Sequence, residues 1–341
     1  MSVLAFDRRT VLAGLAGSLA APHLALGAGQ ADDEAFAGLA VAAAELDQLH
    51  SIVVVHEGVT RFARAFRGPG LERLANVKSV SKSIVALLVG IAIDRGHIAG
   101  PEARLGELIA ALIPAEADAR VPDITVADLL TMRAGLERTS GPNYGAWVGS
   151  GDWLRDALAR PVVVDPGTTF QYSTGSYHIL GAVLSQVTGE SLLALARAWL
   201  GAPLGIEIPP WTRDPQGRYM GGNNMALTPR AMAQIGEAVR LRGTVGEVDV
   251  VPAAWIEASM VPRTRSPFSG DAYGYGWFLT ALGGTRAAYA RGYGGQMIYI
   301  LPDAALTVAI TSDPTRPARS EGHVGDLNRL VAAQVLPAVA G

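Results

Sequence analysis

Ser79-Val80-Ser81-Lys82 leads, across Ser83, into Ile84-Val85-Ala86-Leu87-Leu88-Val89-Gly90-Ile91-Ala92-Ile93, ten apolar positions without a break. A run of that length is too short to cross a bilayer, so it predicts a buried core helix. Arg95-Gly96 should end it, because glycine readily supplies the left-handed cap. Ser79 and Lys82 are three apart and share one helix face. If the helix starts at the serine, unpaired N–H groups and the positive end of the dipole favour negative charge developing there. A hydroxyl beside an amine in such a field is an arrangement for an activated nucleophile, and a rigid core helix would fix its geometry.

The chain has 28 Lys+Arg, yet lysine occurs only at Lys78 and Lys82. Arginine stays protonated at any working pH, whereas a desolvated lysine can become neutral and act as a base. Ser-x-x-Lys alone arises by chance in many helices. A lysine kept at the one place where a titratable amine is useful makes catalysis the reading to test.

Composition narrows the function. With 341 residues, 49% hydrophobic and 17% charged, the chain can bury a substantial core in one large domain or two joined ones. A net charge of −3 with no basic stripe gives no case for nucleic acid as a partner. The absence of cysteine excludes disulfides, thiolate metal sites and a cysteine nucleophile. The histidines show no metal-ligand spacing, and neither a Walker pattern nor Gly-x-Ser-x-Gly occurs. No cofactor is expected.

Residues 1–31 read as an export signal: Arg8-Arg9 precedes a mildly apolar Ala/Gly-rich run that ends in small residues near Ala28. This is a twin-arginine pattern, which implies a periplasmic or secreted protein. Pro22 and His23 interrupt the run, so no stable membrane span is expected once it is removed. Residues 32–341 then form the functional domain. Helical character over Asp33 to Leu49 gives way to strands at Ile52–Val55 and Thr60–Phe66, joined around Glu57-Gly58. From Pro101 to about Arg263 the pattern is mostly helical, with Thr125 and Asp128 forming a capping box for a helix to Arg133. Strands return at 275–280, 287–290, 297–301 and 306–311, followed by a closing helix over Val324–Val335. The fold class is therefore α+β: one antiparallel sheet built from the N- and C-terminal segments, flanking helices, and a large helical insertion. The sheet subdomain is expected at 32–75 and 264–341, and the helical one at 76–263.

Two further stretches carry chemistry. Pro166-Gly167-Thr168-Thr169-Phe170-Gln171-Tyr172-Ser173-Thr174 is a turn and polar loop that would present Tyr172 before a helix. Cations nearby would lower its pKa and let it exchange a proton with a serine hydroxyl or a leaving group; a packing tyrosine is the plainer alternative. Arg291-Gly292-Tyr293-Gly294-Gly295-Gln296 enters a strand, where glycines let a substrate approach the edge and a backbone N–H hold an oxyanion. A hairpin turn reads equally well from the same residues. In the Gly/Ser/Pro-rich loop over Arg138–Gly151, Tyr144 and Trp147 are substrate-contact or packing residues.

In this order, Ser79-Val80-Ser81-Lys82, Tyr172-Ser173-Thr174 and Tyr293-Gly294-Gly295 resemble the three boxes of the serine β-lactamase/penicillin-binding-protein superfamily. The resemblance is to the class C-like branch that includes esterases and 6-aminohexanoate-dimer hydrolases, and it runs from about residue 45 to the C-terminus. It implies a β-lactamase/transpeptidase-like fold and a serine hydrolase working through an acyl-enzyme. Ser79 would attack, Lys82 and Tyr172 would share its proton, and the N–H groups of Ser79 and Gln296 would hold the oxyanion. Thr174, Tyr293, Gly294, Gly295 and Tyr144 would bind a small ester, amide or peptide substrate. Thr174 stands where the family has asparagine, and the third box lacks the family's lysine and hydroxyl. Both departures move the expectation from β-lactamase or D-alanyl-D-alanine carboxypeptidase toward esterase or amidase. A non-catalytic peptidoglycan-binding or regulatory relative is the alternative from another class.

Overall fold

In the computed structural model, which describes residues 27–28 and 34–340, one sheet joins the two ends of the chain. The described strands are β1 (Gly27–Ala28), β2 (Leu49–His56), β3 (Val59–Ala65), β4 (Ala75–Lys78), β5 (Met225–Leu227), β6 (Thr244–Val245) and β7 (Val248–Asp249). They continue with β8 (Thr264–Arg265), β9 (Ala272–Tyr273), β10 (Phe278–Leu282), β11 (Thr285–Gly292), β12 (Gln296–Leu301) and β13 (Leu306–Ser312). Nine of them form a sheet in the order β1-β3-β2-β13-β12-β11-β10-β9-β8. The join is the antiparallel pair of β2 and β13, with Val53 opposite Ala309. Glu57 and Gly58 take positive φ, 53° and 78°, in the predicted turn between β2 and β3. The proposed export signal lies outside the described residues, apart from Gly27–Ala28, which pairs in parallel with Val59–Thr60.

Helices cover both faces of the sheet. Ile298 and Tyr299, adjacent on β12, point to opposite sides. The Tyr299 hydroxyl donates to Asn328 Oδ1 at 2.7 Å, on the helix His323–Leu330. On the other side Gly236 of the helix Pro229–Arg240 lies so close to Ile298 and Thr307 that a methyl group there would press on both. That helix falls within the stretch expected to be the helical subdomain, yet it lies on the sheet. Its sharply amphipathic sequence, Met232, Ile235 and Val239 inward, is the reason.

Where the sequence predicts one long element, tertiary contacts divide several. The helix after Thr125 has the expected reciprocal capping box, Thr125 Oγ1 with the Asp128 N–H at 3.1 Å and Asp128 Oδ2 with the Thr125 N–H at 2.9 Å. It ends at Leu130 rather than Arg133, because Met132 takes φ 61° and offers its carbonyl to the Gln171 N–H. The strand expected from Tyr275 starts only at Phe278. Gly276, at φ 81°, turns the chain so that its carbonyl accepts from Ser83 Oγ at 2.6 Å on the core helix. The closing helix begins at His323 and, after a wider turn over Val331–Val335, continues to Ala340.

The core helix itself spans Val80–Asp94, and Val80 through Ala92 are all buried. Gly96 closes it at φ 74°, with the Gly96 N–H on the Ile93 carbonyl. Just ahead of it, β4 pairs antiparallel with β5, Lys78 opposite Met225. This small sheet was not expected from the sequence, and it carries residues 221–224 to the start of the helix. Among the described residues no single helix is long and apolar enough to cross a membrane.

Candidate active site

Ser79 sits at a sharp strand-to-helix corner. Lys78, the last residue of β4, has φ 50°, a conformation that costs a non-glycine residue strain. Its neighbours hold it there: Asn76 Oδ1 accepts from the Lys78 N–H at 3.0 Å, and Ser81 Oγ donates to the Lys78 carbonyl at 2.6 Å. Ser81 Oγ also accepts from the Met225 N–H at 3.1 Å, which ties β5 to the corner. The Ser79 hydroxyl is not spent on capping the helix. It receives Lys82 Nζ, one turn along, at 2.9 Å.

Lys82 is 2% exposed. Its Nζ also reaches the Gly222 carbonyl at 2.5 Å and Thr174 Oγ1 at 3.3 Å. These partners are neutral, so nothing offsets the cost of burying an ammonium, and desolvation lowers the Lys82 pKa to about 7. The amine is therefore available as a base near neutrality.

Tyr172 completes the cluster from the loop before the helix Thr174–Thr188. Its hydroxyl hydrogen-bonds with Ser79, and its ring centre is 5.0 Å from Lys82 Nζ. The expected depression of its pKa is not found. Burial raises it, and the Ser79 hydrogen bond and the Arg291 charge offset this only in part. The nearer cation, Lys82, is itself poised to lose its charge, so it does little to stabilise a phenolate. The buried phenol of Tyr172 therefore keeps its proton and can donate it, while the Lys82 amine can accept one.

Thr174, shorter than the asparagine of the family pattern, still reaches Lys82. Ser140 Oγ supports it, accepting from the Thr174 N–H and meeting Thr174 Oγ1, both at 2.9 Å. Thr139 does the same for the helix start: its Oγ1 accepts from the Gly175 N–H at 2.7 Å, and its N–H donates to Ser173 Oγ at 3.1 Å. In the same loop Tyr144 lines the cavity and its hydroxyl accepts from Asn223 Nδ2 at 2.9 Å. Trp147 does not reach the site. It is wholly buried against Trp153 and His178.

The third predicted stretch divides. Tyr293, Gly292 and Arg291 line the cavity. Gly294 and Gly295, at φ 85° and 92°, form the hairpin between β11 and β12 and back onto Asp313 and His323, and neither lines the cavity that Ser79 lines. Gln296 is fully buried, its amide holding the backbone of Ser312 through Nε2 at 2.7 Å and Oε1 at 3.3 Å. The strand end beside Ser79 is thus Arg291–Tyr293, and Gly292 packs directly against the backbone of Val77. The N–H groups of Ser79 and Tyr293 donate to no acceptor among the described residues.

These groups surround a cavity of about 690 Å³ that Ser140, Asn223, Asn224, Phe268 and Phe278 also line. Sequence reasoning missed Ser140, Asn223 and the Gly222 carbonyl. The legible signal was Gly221-Gly222-Asn223-Asn224, two glycines and two asparagines before an apolar strand. A methyl at Gly221 would overlap the Tyr177 carbonyl oxygen. Gly221→Ala should cost about 1–3 kcal/mol of stability and displace the Gly222 carbonyl from Lys82. Denaturant unfolding checks the first effect, and a shifted Lys82 titration checks the second.

A sheet faced by helices, with a Ser-x-x-Lys helix and a tyrosine loop meeting at its edge, defines a class of serine-nucleophile proteins. The chain belongs to the beta-lactamase family, whose model matches residues 31–333. It is 32% identical over 163 residues to esterase EstB of Burkholderia gladioli, covering 42% of this chain and 39% of EstB. The chain thus spans about two fifths of that curated relative in the match. The fold is shared with EstCE1, described as a hydrolase with promiscuous acyltransferase activity, at 22% identity and TM-score 0.70 over 90% of this chain and 98% of that one. A family VIII carboxylesterase gives 22% identity and TM-score 0.69 over 89% and 97%.

Proposed function

We propose that the protein is a serine hydrolase that cleaves an ester or amide through an acyl-enzyme on Ser79. The observation that carries this reading is the Lys82 amine, desolvated and 2.9 Å from the Ser79 hydroxyl. As Ser79 Oγ attacks the substrate carbonyl carbon, its proton passes to neutral Lys82 Nζ. The carbonyl oxygen becomes the oxyanion and accepts from the N–H groups of Ser79 and Tyr293, the latter replacing Gln296 as the second donor. Protonated Tyr172 gives its proton to the leaving group and regains one by way of Lys82. A water activated near Tyr172 then hydrolyses the acyl-enzyme.

The relation to esterase EstB favours an ester or small amide over a β-lactam, as do Thr174 and the missing third-box lysine. A p-nitrophenyl ester assayed beside a chromogenic cephalosporin ranks the classes; faster turnover of the cephalosporin would move the assignment to β-lactamase. Intact-mass analysis after fluorophosphonate treatment should show one adduct. Native protein that forms none is a non-catalytic relative. The rate should also titrate. Neutral Lys82 is the active form and its pKa is lowered to about 7, so kcat/KM should be lost as pH falls through about 7 and level off above it. A flat profile from pH 5 to 8 would remove Lys82 as the base.

We also read residues 1–31 as a twin-arginine export signal that delivers the enzyme to the periplasm or beyond. The family match beginning at residue 31 supports that reading. Replacing Arg8 and Arg9 together by lysine should retain the protein in the cytoplasm of a fractionated bacterial host.

A further inference from the structure

Gln48 stands just ahead of β2, is 5% exposed and does not line the Ser79 cavity, yet its side chain is committed to the hairpin beside that cavity. Its Nε2 donates to the Gly294 carbonyl at 3.1 Å, a partner 246 residues away, and meets the Arg316 and Pro317 carbonyls at 3.4 Å. All three partners are acceptors, which fixes the end of the amide that faces them. Two protons serve them, one on Gly294 and one shared by the loop carbonyls. The Gln48 main-chain carbonyl in turn accepts from the Asp313 N–H at 2.9 Å. One buried residue therefore ties the tip of the β11–β12 hairpin to the end of β13 and the loop beyond it.

The hairpin needs such a tie. Gly292 lies opposite Gln296, and Tyr293, Gly294 and Gly295 make the turn between them, closed by the Gly295 N–H on the Gly292 carbonyl at 3.2 Å. Two consecutive glycines leave this backbone unusually free, so an outside group must decide which way its peptides face. Gln296 and His323 hold Ser312, against which the turn rests. Among the described residues no side chain other than Gln48 hydrogen-bonds the backbone of Tyr293, Gly294 or Gly295. The Tyr293 N–H, the second oxyanion donor in the proposed mechanism, belongs to the peptide that enters this turn. A donor of that kind works only when it is aimed in advance at the place the oxyanion will occupy.

We infer that Gln48 is a positioning residue for the oxyanion hole: by holding the Gly294 carbonyl it fixes the turn that aims the Tyr293 N–H at the substrate oxygen. It acts through the hairpin and not on the substrate. This inference rests on the hydrolase reading and extends it to a residue outside the cavity.

A glutamine that only fastened the loop after β13 would make the same contacts to Arg316 and Pro317, so the test reads the oxyanion itself. 4-Nitrophenyl butyrate and O-(4-nitrophenyl) thionobutyrate share an acyl chain and a leaving group. They differ in whether oxygen or sulfur takes the developing charge, and sulfur is the weaker hydrogen-bond acceptor. Gln48→Met keeps the length and burial of the side chain and removes its donors. It should lower kcat/KM for the ester by about 10- to 100-fold and the ester-to-thionoester ratio by about tenfold. Gln48→Asn, an amide on a shorter arm, should fall between. Ser51→Ala removes the neighbouring hydroxyl contact with Thr311 between β2 and β13. It should lower the melting temperature and leave the ratio unchanged. The ratio is taken within one preparation, so a partly unfolded sample does not alter it. A native ratio in Gln48→Met and Gln48→Asn, an equal fall in Ser51→Ala, or failure of both Gln48 variants to fold would overturn the inference and leave the hydrolase reading standing. No turnover of either ester by the native protein, together with no fluorophosphonate adduct, would overturn the hydrolase reading and this inference with it.

Discussion

Ser79→Ala is expected to lower ester or amide turnover by about 10⁴- to 10⁶-fold, the scale seen when an acyl-enzyme nucleophile is removed. The fluorophosphonate adduct should vanish with it. Stability should change little, within about 0.5 kcal/mol, because the Ser79 hydroxyl does not cap the helix and its partners are the two groups that act on it. The neighbouring serines give the contrast. Ser81 holds the Lys78 carbonyl and the Met225 N–H, and Ser83 holds the Gly276 carbonyl. Ser81→Ala and Ser83→Ala should therefore register in a melting curve first. Substantial turnover by Ser79→Ala, or an adduct that persists in it, would place the nucleophile elsewhere.

The second large effect is expected at Lys82. Lys82→Ala and Lys82→Arg should both reduce kcat by about 10³-fold, within the range for a lost general base. The arginine variant is the informative one, since it keeps the charge and loses only the ability to shed it. It also puts a permanent cation among Ser79, Thr174 and the Gly222 carbonyl with no acid to pair it. Its loss of stability should exceed that of the alanine variant. Single-turnover measurement of acylation, with circular dichroism to confirm folding, separates the chemical defect from the structural one. An arginine variant that acylates at more than a tenth of the native rate would remove Lys82 as the base.

Much of this site was legible because its main parts are local. Ser79 and Lys82 are one turn apart on a helix that announces itself by its apolar run, and the scarcity of lysine marks the pair. Thr125 with Asp128, Glu57-Gly58 and Gly96 likewise work through neighbours in the chain, and the structure has each as expected. The third box went wrong for a reason of register. Tyr293-Gly294-Gly295-Gln296 contains a turn followed by a strand, and the sequence does not say which side of the turn faces the serine. The structure puts the end of β11 there, so Tyr293 lines the cavity while Gln296, wholly buried, does not. Tyr172 was found but its titration was misjudged, since the sign depended on how deeply the phenol and its neighbouring amine are buried.

The sequence by itself determined the class of fold and the pairing of Ser79 with the Lys82 amine, since periodicity, caps and residue scarcity all act within a few positions. Only the tertiary structure decided what surrounds that pair. The Gly222 carbonyl that fixes Lys82 lies 140 residues away along the chain, brought in by the pairing of β4 with β5. Ser140, which holds Thr174, is 34 residues from it, and Lys78, Arg138 and Arg291 converge from three separate elements. Whether Lys82 is a base depends on the water excluded around it, and that exclusion comes from segments that meet only when the chain has folded.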